Sequence, residues 1–183
     1  VVNNNNYGNW VVTTQNDYDV LGQMKKKRVR NKKGTSDGSE PLANLDYEYN
    51  IRGWLLSINK DYLDNGGEDR YFGLQLGYDK NGVQTFAKKQ YNGNISGTIW
   101  KSAGDEVKRK YDFYYDAANR LLKADFSDSK NFDFNVKMGD GSDPLSAYDA
   151  NGNIKRMQQW GIKGATSLQI DDLSYSYYNN GNK

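Results

Sequence analysis

The chain holds 23 Asp and Glu residues but no His and no Cys, so carboxylates are what remain for acid–base chemistry. Ser-His-Asp and Cys-His arrangements and the usual zinc sites are excluded outright. A glycosidase needs two carboxyl groups about 5–10 Å apart, and acidic residues are plentiful enough to supply them. Two loops, "DNGGED" (Asp64–Asp69) and "GDGSDP" (Gly139–Pro144), gather acidic oxygens of the kind that hold Ca²⁺, without the length or spacing of an EF-hand loop. No Gly-rich phosphate loop with its Lys follows a strand. The sharpest charge feature is "KKKRVRNKKG", with seven basic residues among positions 25–33. Its place directly after a turn favours a solvated return strand, with lysines deterring edge-to-edge pairing, over a nucleic-acid patch. Binding to an acidic surface polysaccharide or lipid head group stays open as the alternative. The overall charge of +2 likewise gives no reason to expect nucleic acid as a partner.

Whatever these residues do, turns and strands must position them. Five pentapeptides share one pattern: "YDVLG" (Tyr18–Gly22), "YNIRG" (Tyr49–Gly53), "YDKNG" (Tyr78–Gly82), "YDAAN" (Tyr115–Asn119) and "YDANG" (Tyr148–Gly152). Asp or Asn after the Tyr (Asp19, Asn50, Asp79, Asp116, Asp149) bonds the backbone two residues on. Gly or Asn three residues later (Gly22, Gly53, Gly82, Asn119, Gly152) tolerates the left-handed conformation that returns the chain to a strand. Period-two alternation precedes three of the turns: Leu45, Tyr47, Tyr49; Phe72, Leu74, Leu76, Tyr78; Tyr111, Phe113, Tyr115. The sixth residue after the Tyr is apolar in four copies, as Met24, Leu55, Leu121 and Ile154; in the fifth, Val83 comes one position early. "YNGNISGTIW" (Tyr91–Trp100) and "SYSYYNNGN" are degenerate units.

The segments between, such as "NKKGTSDGSEPLAN", "NKDYLDNGGEDR" and "KMGDGSDP", read as loops, with Pro41 and Pro144 placed in them and off the strands. Only "AANRLLKADF" (Ala117–Phe126) tempts as a helix, and the turn signal in front of it wins. A mean hydropathy of −0.97 would suggest disorder, yet 14% of residues are aromatic and 15 are Tyr. Each Tyr buries roughly 150–250 Å² while counting as polar, so the chain reads as folded around tyrosines. No apolar run approaches the roughly 18 residues of a membrane span. The expected fold is all-β: one region over residues 1–183 of consecutive antiparallel hairpins, curving into a spiralling sheet or part of a β-shell. The expectation is also that these residues are a piece of a larger polypeptide.

The recurring "YDxxG" followed by an apolar strand resembles the YD-repeat, or RHS-repeat, proteins of bacteria, along the chain from Tyr18 to Gly181. The phrases "YNIRGWLLSIN", "YFGLQLGYD" and "QYNGNISGTIW" look like the variety in large secreted or cell-surface members. Arg120 keeps the Arg that often follows the turn in that family, where Gln23, Trp54 and Asn153 stand in other copies. The resemblance implies a ribbon of hairpins spiralling into a hollow shell, which in toxin members encloses an effector domain. The family's self-cleaving aspartyl site lies in a motif after the repeats that this chain does not show, so no catalytic residue is carried over. The functional expectation is a non-catalytic scaffold or shell segment, secreted or on a bacterial surface. It carries no cofactor, and its partner is the rest of its polypeptide or an enclosed effector. Two alternatives stay open: glycan binding by aromatics such as Trp10, Trp54, Trp100 and Trp160, and a carboxylate glycosidase.

Overall fold

The structure is a computed structural model that describes residues 13–31, 41–67, 70–79 and 86–178. Among these residues are eleven strands and two short helices. The strands are β1 (Thr14–Tyr18), β2 (Met24–Asn31), β3 (Pro41–Tyr49), β4 (Leu55–Ile58), β5 (Phe72–Gly77), β6 (Gly97–Ser102), β7 (Arg109–Tyr115), β8 (Leu121–Asp128), β9 (Val136–Met138), β10 (Arg156–Lys163) and β11 (Thr166–Ser174). Helix α1 (Lys60–Asn65) lies between β4 and β5, and α2 (Pro144–Ala147) between β9 and β10. Strand order in the sheet is chain order, open at β1 and β11, so the architecture is all-β and made of consecutive antiparallel strands. Two compact units divide the chain, residues 1–76 with 100–106 and residues 77–99 with 107–183.

The first unit is organised by a buried asparagine. Asn59 is 2% exposed and left-handed at φ 46°. Its Nδ2 donates to the carbonyls of Asn44 and Phe72, each at 2.9 Å, and its Oδ1 accepts from the Asp46 N–H at 2.8 Å. One carboxamide therefore ties the middle of β3 to the start of β5. The turn it makes sets Tyr62 and Leu63 of α1 against the sheet, both buried. A Cβ on Gly73 would stand 3.0 Å from Leu63 Cδ2 and from the Asn59 carbonyl, so glycine lets α1 lie this close to β5 without crowding. The Tyr62 hydroxyl donates to Glu106 at 2.8 Å, and Lys101 pairs with Glu106 at 2.7 Å while its ammonium lies 4.9 Å over the Tyr62 ring. Burial and the Glu106 carboxylate push the Tyr62 phenol up to about 12.

In the second unit, Phe86 is buried against Gly77 and Gly97. A Cβ on either glycine would come within 2.2 Å of the ring, so these residues leave the space the ring fills. A separate cluster gathers Leu122, Ala147 and Tyr148, with Met138 and Ile154 packed on it. Tyr111 stacks on Phe113 and meets Phe126 edge-on, which in turn meets Phe134. These pairings contribute beyond their area through the opposed charge of ring face and edge.

Several expectations need correction. The basic run is a return strand, but β2 is flanked by β1 and β3 and is no edge. Two of its cations are matched across the ladders instead, Arg28 with Asp17 at 2.8 Å and Lys26 with Asp46 at 3.4 Å; Lys32 and Lys33 lie outside the described residues. Pro41 opens β3, a position where a missing N–H is tolerated. Pro144 starts α2 behind an Asp143 side chain that accepts from the Leu145 N–H. Two segments expected as loops therefore contain helical turns: the Asp143 side chain caps α2, and Gly66 ends α1 with its N–H on the Tyr62 carbonyl. On β5 the most buried positions are Gly73, Gln75 and Gly77, not the alternating Phe72, Leu74 and Leu76. Small residues vanish where α1 and Phe86 cross the sheet. "AANRLLKADF" is turn and strand, as expected.

Replacing Asn59 with Leu keeps the branched skeleton but strands three backbone groups. Each buried orphan costs about 1–3 kcal/mol, so urea unfolding is expected to show a loss of at least about 3 kcal/mol. A change below about 1 kcal/mol would mean that Asn59 does not hold β3 to β5.

Candidate functional site

The site-like feature of this chain is its repeated turn. At Asp19, Asn50, Asp116 and Asp149 the side-chain Oδ1 accepts two backbone N–H groups, those two and four residues on. The donors are Leu21 and Gln23, Arg52 and Trp54, Ala118 and Arg120, and Asn151 and Asn153, all at 2.8–2.9 Å. The backbone of the same Asp or Asn donates to the carbonyl four residues on, at 2.8–2.9 Å. The residue in third place after it is left-handed: Gly22 at φ 77°, Gly53 at 78°, Asn119 at 64°, Gly152 at 84°. Four copies thus share one geometry. Closing each turn, the Tyr pairs across the ladder with the sixth residue after it: Tyr18 with Met24, Tyr49 with Leu55, Tyr115 with Leu121, Tyr148 with Ile154. In the first three a register shift falls just before the Tyr, the bulge that re-aims its ring.

Tyrosine hydroxyls join one hairpin to the next. Tyr115 donates to the Ile95 carbonyl at 2.8 Å, Tyr148 to the Leu121 carbonyl, and Tyr177 to the Ile154 carbonyl at 2.9 Å. Leu121 and Ile154 are the ladder partners of the preceding tyrosine, so these two stitches land where the previous turn closes. Arg120 reinforces one joint, its Nε 2.7 Å from Asp116 Oδ2 and its guanidinium 4.4 Å over the Tyr148 ring. Asn153 plays the first of those parts in its own turn, donating to Asp149 Oδ2 at 2.9 Å. In the first unit Gln23 holds the matching place, and a Cβ on Gly53 would stand 3.0 Å from its amide.

Electrostatics follow the bonding. Burial would raise the Asp116 carboxyl, whose side chain is 2% exposed, but the Arg120 amide, guanidinium and charge outweigh that and hold it below the usual range. Bonds from Asn153 and neighbouring amides do the same for Asp149. Burial pushes the Tyr115 and Tyr148 phenols up.

The tyrosines are not equally covered. Tyr78 and Tyr148 are buried, at 8% and 7%, Tyr49 and Tyr115 are half-buried, and Tyr18 is 57% exposed. Tyr18 stands on β1, which among the described residues has a strand on one side only. Asp79 is half-buried, whereas Gly82 and Val83 lie outside the described residues, as does Trp10. Trp54, Trp100 and Trp160 are half-buried. Arg52 lies 5.0 Å over the Trp54 ring and Lys137 5.0 Å over Trp160, so a cation already occupies a face of each.

Among the acids, Asp112 and Asp125 stand opposite each other on β7 and β8. Lys110 engages the first at 2.7 Å and Lys123 the second at 2.5 Å, and Asp112 also accepts from the Ala87 N–H. Both carboxylates are thus neutralised by lysines of their own strands. In the "GDGSDP" loop Asp140 accepts from the amides of Ser142 and Asp143, which holds its carboxyl down at about 2. Asp143 caps α2. These oxygens are turn acceptors, and no cluster of acids among the described residues is arranged to hold a metal ion.

Three parts of the repeat were missed by sequence reasoning. Asp128 builds the same double-acceptor turn, receiving the Lys130 and Phe132 amides around left-handed Asn131, with Ser127 where a Tyr was sought. Searching for Asp-x-x-Asn without its Tyr would have found it. Tyr177 was hidden by the two tyrosines around it, Tyr175 and Tyr178, though its distance from Tyr148 matches the repeat intervals. The Arg120 contact to the next hairpin has no local signal. Compared with known proteins, the chain matches no family model and no curated relative.

Deleting a turn acceptor or a stitch should be costly only where neighbours cover it. Tyr148→Phe is expected to lose about 0.5–1.5 kcal/mol for one hydroxyl bond and Tyr148→Ala about 3–5 kcal/mol. Tyr18→Ala should cost under about 1 kcal/mol. Equal losses at Tyr18 and Tyr148 in denaturant titrations would refute inter-hairpin burial.

Acid supplies a second check. Asp116, Asp149 and Asp140 have folded values below their unfolded ones, so their contribution is present above about pH 4 and lost as pH falls through the folded values, that of Asp140 being about 2. The melting temperature should therefore drop steeply across that window. In Asp149→Ala it starts lower and falls less.

Proposed function

We propose that this chain is a non-catalytic scaffold: a run of YD-type hairpins that walls part of a larger exported polypeptide of the RHS kind, secreted or on a bacterial surface. The observation that carries the reading is the stitch from Tyr148 to Leu121 and from Tyr177 to Ile154, because it makes each hairpin complete only with its neighbour. Repeat architectures store their stability in such nearest-neighbour contacts. Chemistry-bearing groups, by contrast, are engaged in turns and local ion pairs, as at Asp112, Asp125 and Asp140. No helix among the described residues is long and apolar enough to cross a membrane.

Within such a polypeptide the partner is the remaining chain or a segment enclosed by the wall. The double substitution Tyr115→Ala, Tyr148→Ala removes two joints in one unit. It is expected to turn a protease-resistant enclosed segment into a sensitive one while leaving polysaccharide cleavage absent in both forms. Saturable glycan binding lost in Trp54→Ala, Trp100→Ala or Trp160→Ala would replace the scaffold reading with a glycan-binding module.

A further inference from the structure

Three Asn-Gly pairs lie among the described residues: Asn65-Gly66, Asn92-Gly93 and Asn151-Gly152. All three asparagines are exposed, so access to water does not distinguish them. Such a pair reacts with itself. The glycine nitrogen attacks the asparagine Cγ, its proton passes to hydroxide or water, the Cγ–Nδ2 bond breaks, and ammonia leaves. Water then opens the five-membered imide on either side, giving aspartate or isoaspartate. Glycine favours the reaction because it has no side chain to hinder the attacking nitrogen.

The fold treats the three pairs differently. The Gly66 N–H donates to the Tyr62 carbonyl at 3.2 Å, closing α1, and the Gly152 N–H donates to the Asp149 carbonyl at 3.0 Å, closing the repeated turn. Each nitrogen must give up that bond before it can attack. The Gly93 N–H makes no hydrogen bond to a described residue. Gly93 is left-handed at φ 99°. In addition the Asn94 N–H donates to Asn92 Oδ1 at 3.0 Å. That oxygen is where negative charge develops as the ring closes, and an amide already aimed at it stabilises the charge.

We propose that Asn92 is a self-modification site, converting selectively to aspartate and isoaspartate in the folded protein. The conversion has a structural consequence. Asn92 Nδ2 donates to Asn119 Oδ1 of the next turn, and loss of ammonia replaces that donor with a carboxylate facing an acceptor. The shortened Tyr91 unit thereby loses one of its bonds to the Tyr115 hairpin, while the Tyr115 hydroxyl still holds the Ile95 carbonyl.

Trypsin places the three pairs in separate peptides, Asp61–Arg70, Gln90–Lys101 and Met138–Lys155. The full chain is incubated at mildly alkaline pH, folded and in denaturant, and the peptides are followed by mass spectrometry with isoaspartate quantitation. In the folded chain Gln90–Lys101 is expected to convert a few-fold to about tenfold faster than the other two, the factor set by one hydrogen bond that must break. In denaturant the three rates converge. Asn92→Gln, which closes a ring less readily, should silence conversion in its peptide and so exclude Asn94. Equal rates in the folded chain, a faster Met138–Lys155 peptide, or no conversion of Gln90–Lys101 each overturn the proposal.

Discussion

One oxygen atom accepting two backbone amides is the interaction on which the rest of this structure depends. At each repeated turn the Oδ1 of Asp or Asn bonds the amides two and four residues on. It thereby satisfies donors that a tight reversal would otherwise leave to water. Once that reversal is set, the ladder register follows. The Tyr must oppose the residue six positions later, and every other pairing down the hairpin is counted from there. Asp128 reaches the same bonding without a preceding Tyr, which shows that the turn and the ring are separable parts.

The rings then convert a series of hairpins into a joined array. A two-stranded hairpin is marginal alone in water, and here its missing burial comes from the next aromatic. Tyr148 packs with Leu122 of the preceding return strand and bonds the carbonyl at its start. An apolar ring with a polar tip suits that place, since it fills the gap and satisfies a backbone acceptor. This explains how a chain with so low a mean hydropathy builds a core. Beside a few aliphatics and Phe86, its interior includes buried tyrosines, glycines and an asparagine, residues that hydropathy counts as polar or neutral.

Charge has a subordinate part. The basic strand β2 is tolerated because acids on both neighbouring strands face it. Asp112 and Asp125, which would repel as a bare cross-strand pair, each hold a lysine from their own strand. Such partly exposed pairs contribute little apiece. Their value lies in making the register electrostatically acceptable.

How much of this could be read beforehand varies with the range of the interaction. The turns were legible because their bonds span four residues, and all the needed side chains sit in one pentapeptide. The apolar residue six positions on was legible for the same reason. Asn59 was not, since its three partners come from β3 and β5 and its own segment reads as a loop. Helix α1, the Phe86 ring between Gly77 and Gly97, and the internal position of β2 were equally hidden. The sequence by itself determined where the chain reverses and which residues close each hairpin, because those choices are local in backbone geometry. Only tertiary structure decided which hairpin lies beside which glycine and which carbonyl receives each tyrosine. Those contacts join residues that no periodicity relates, and shape and unsatisfied hydrogen bonds select them after the strands have formed.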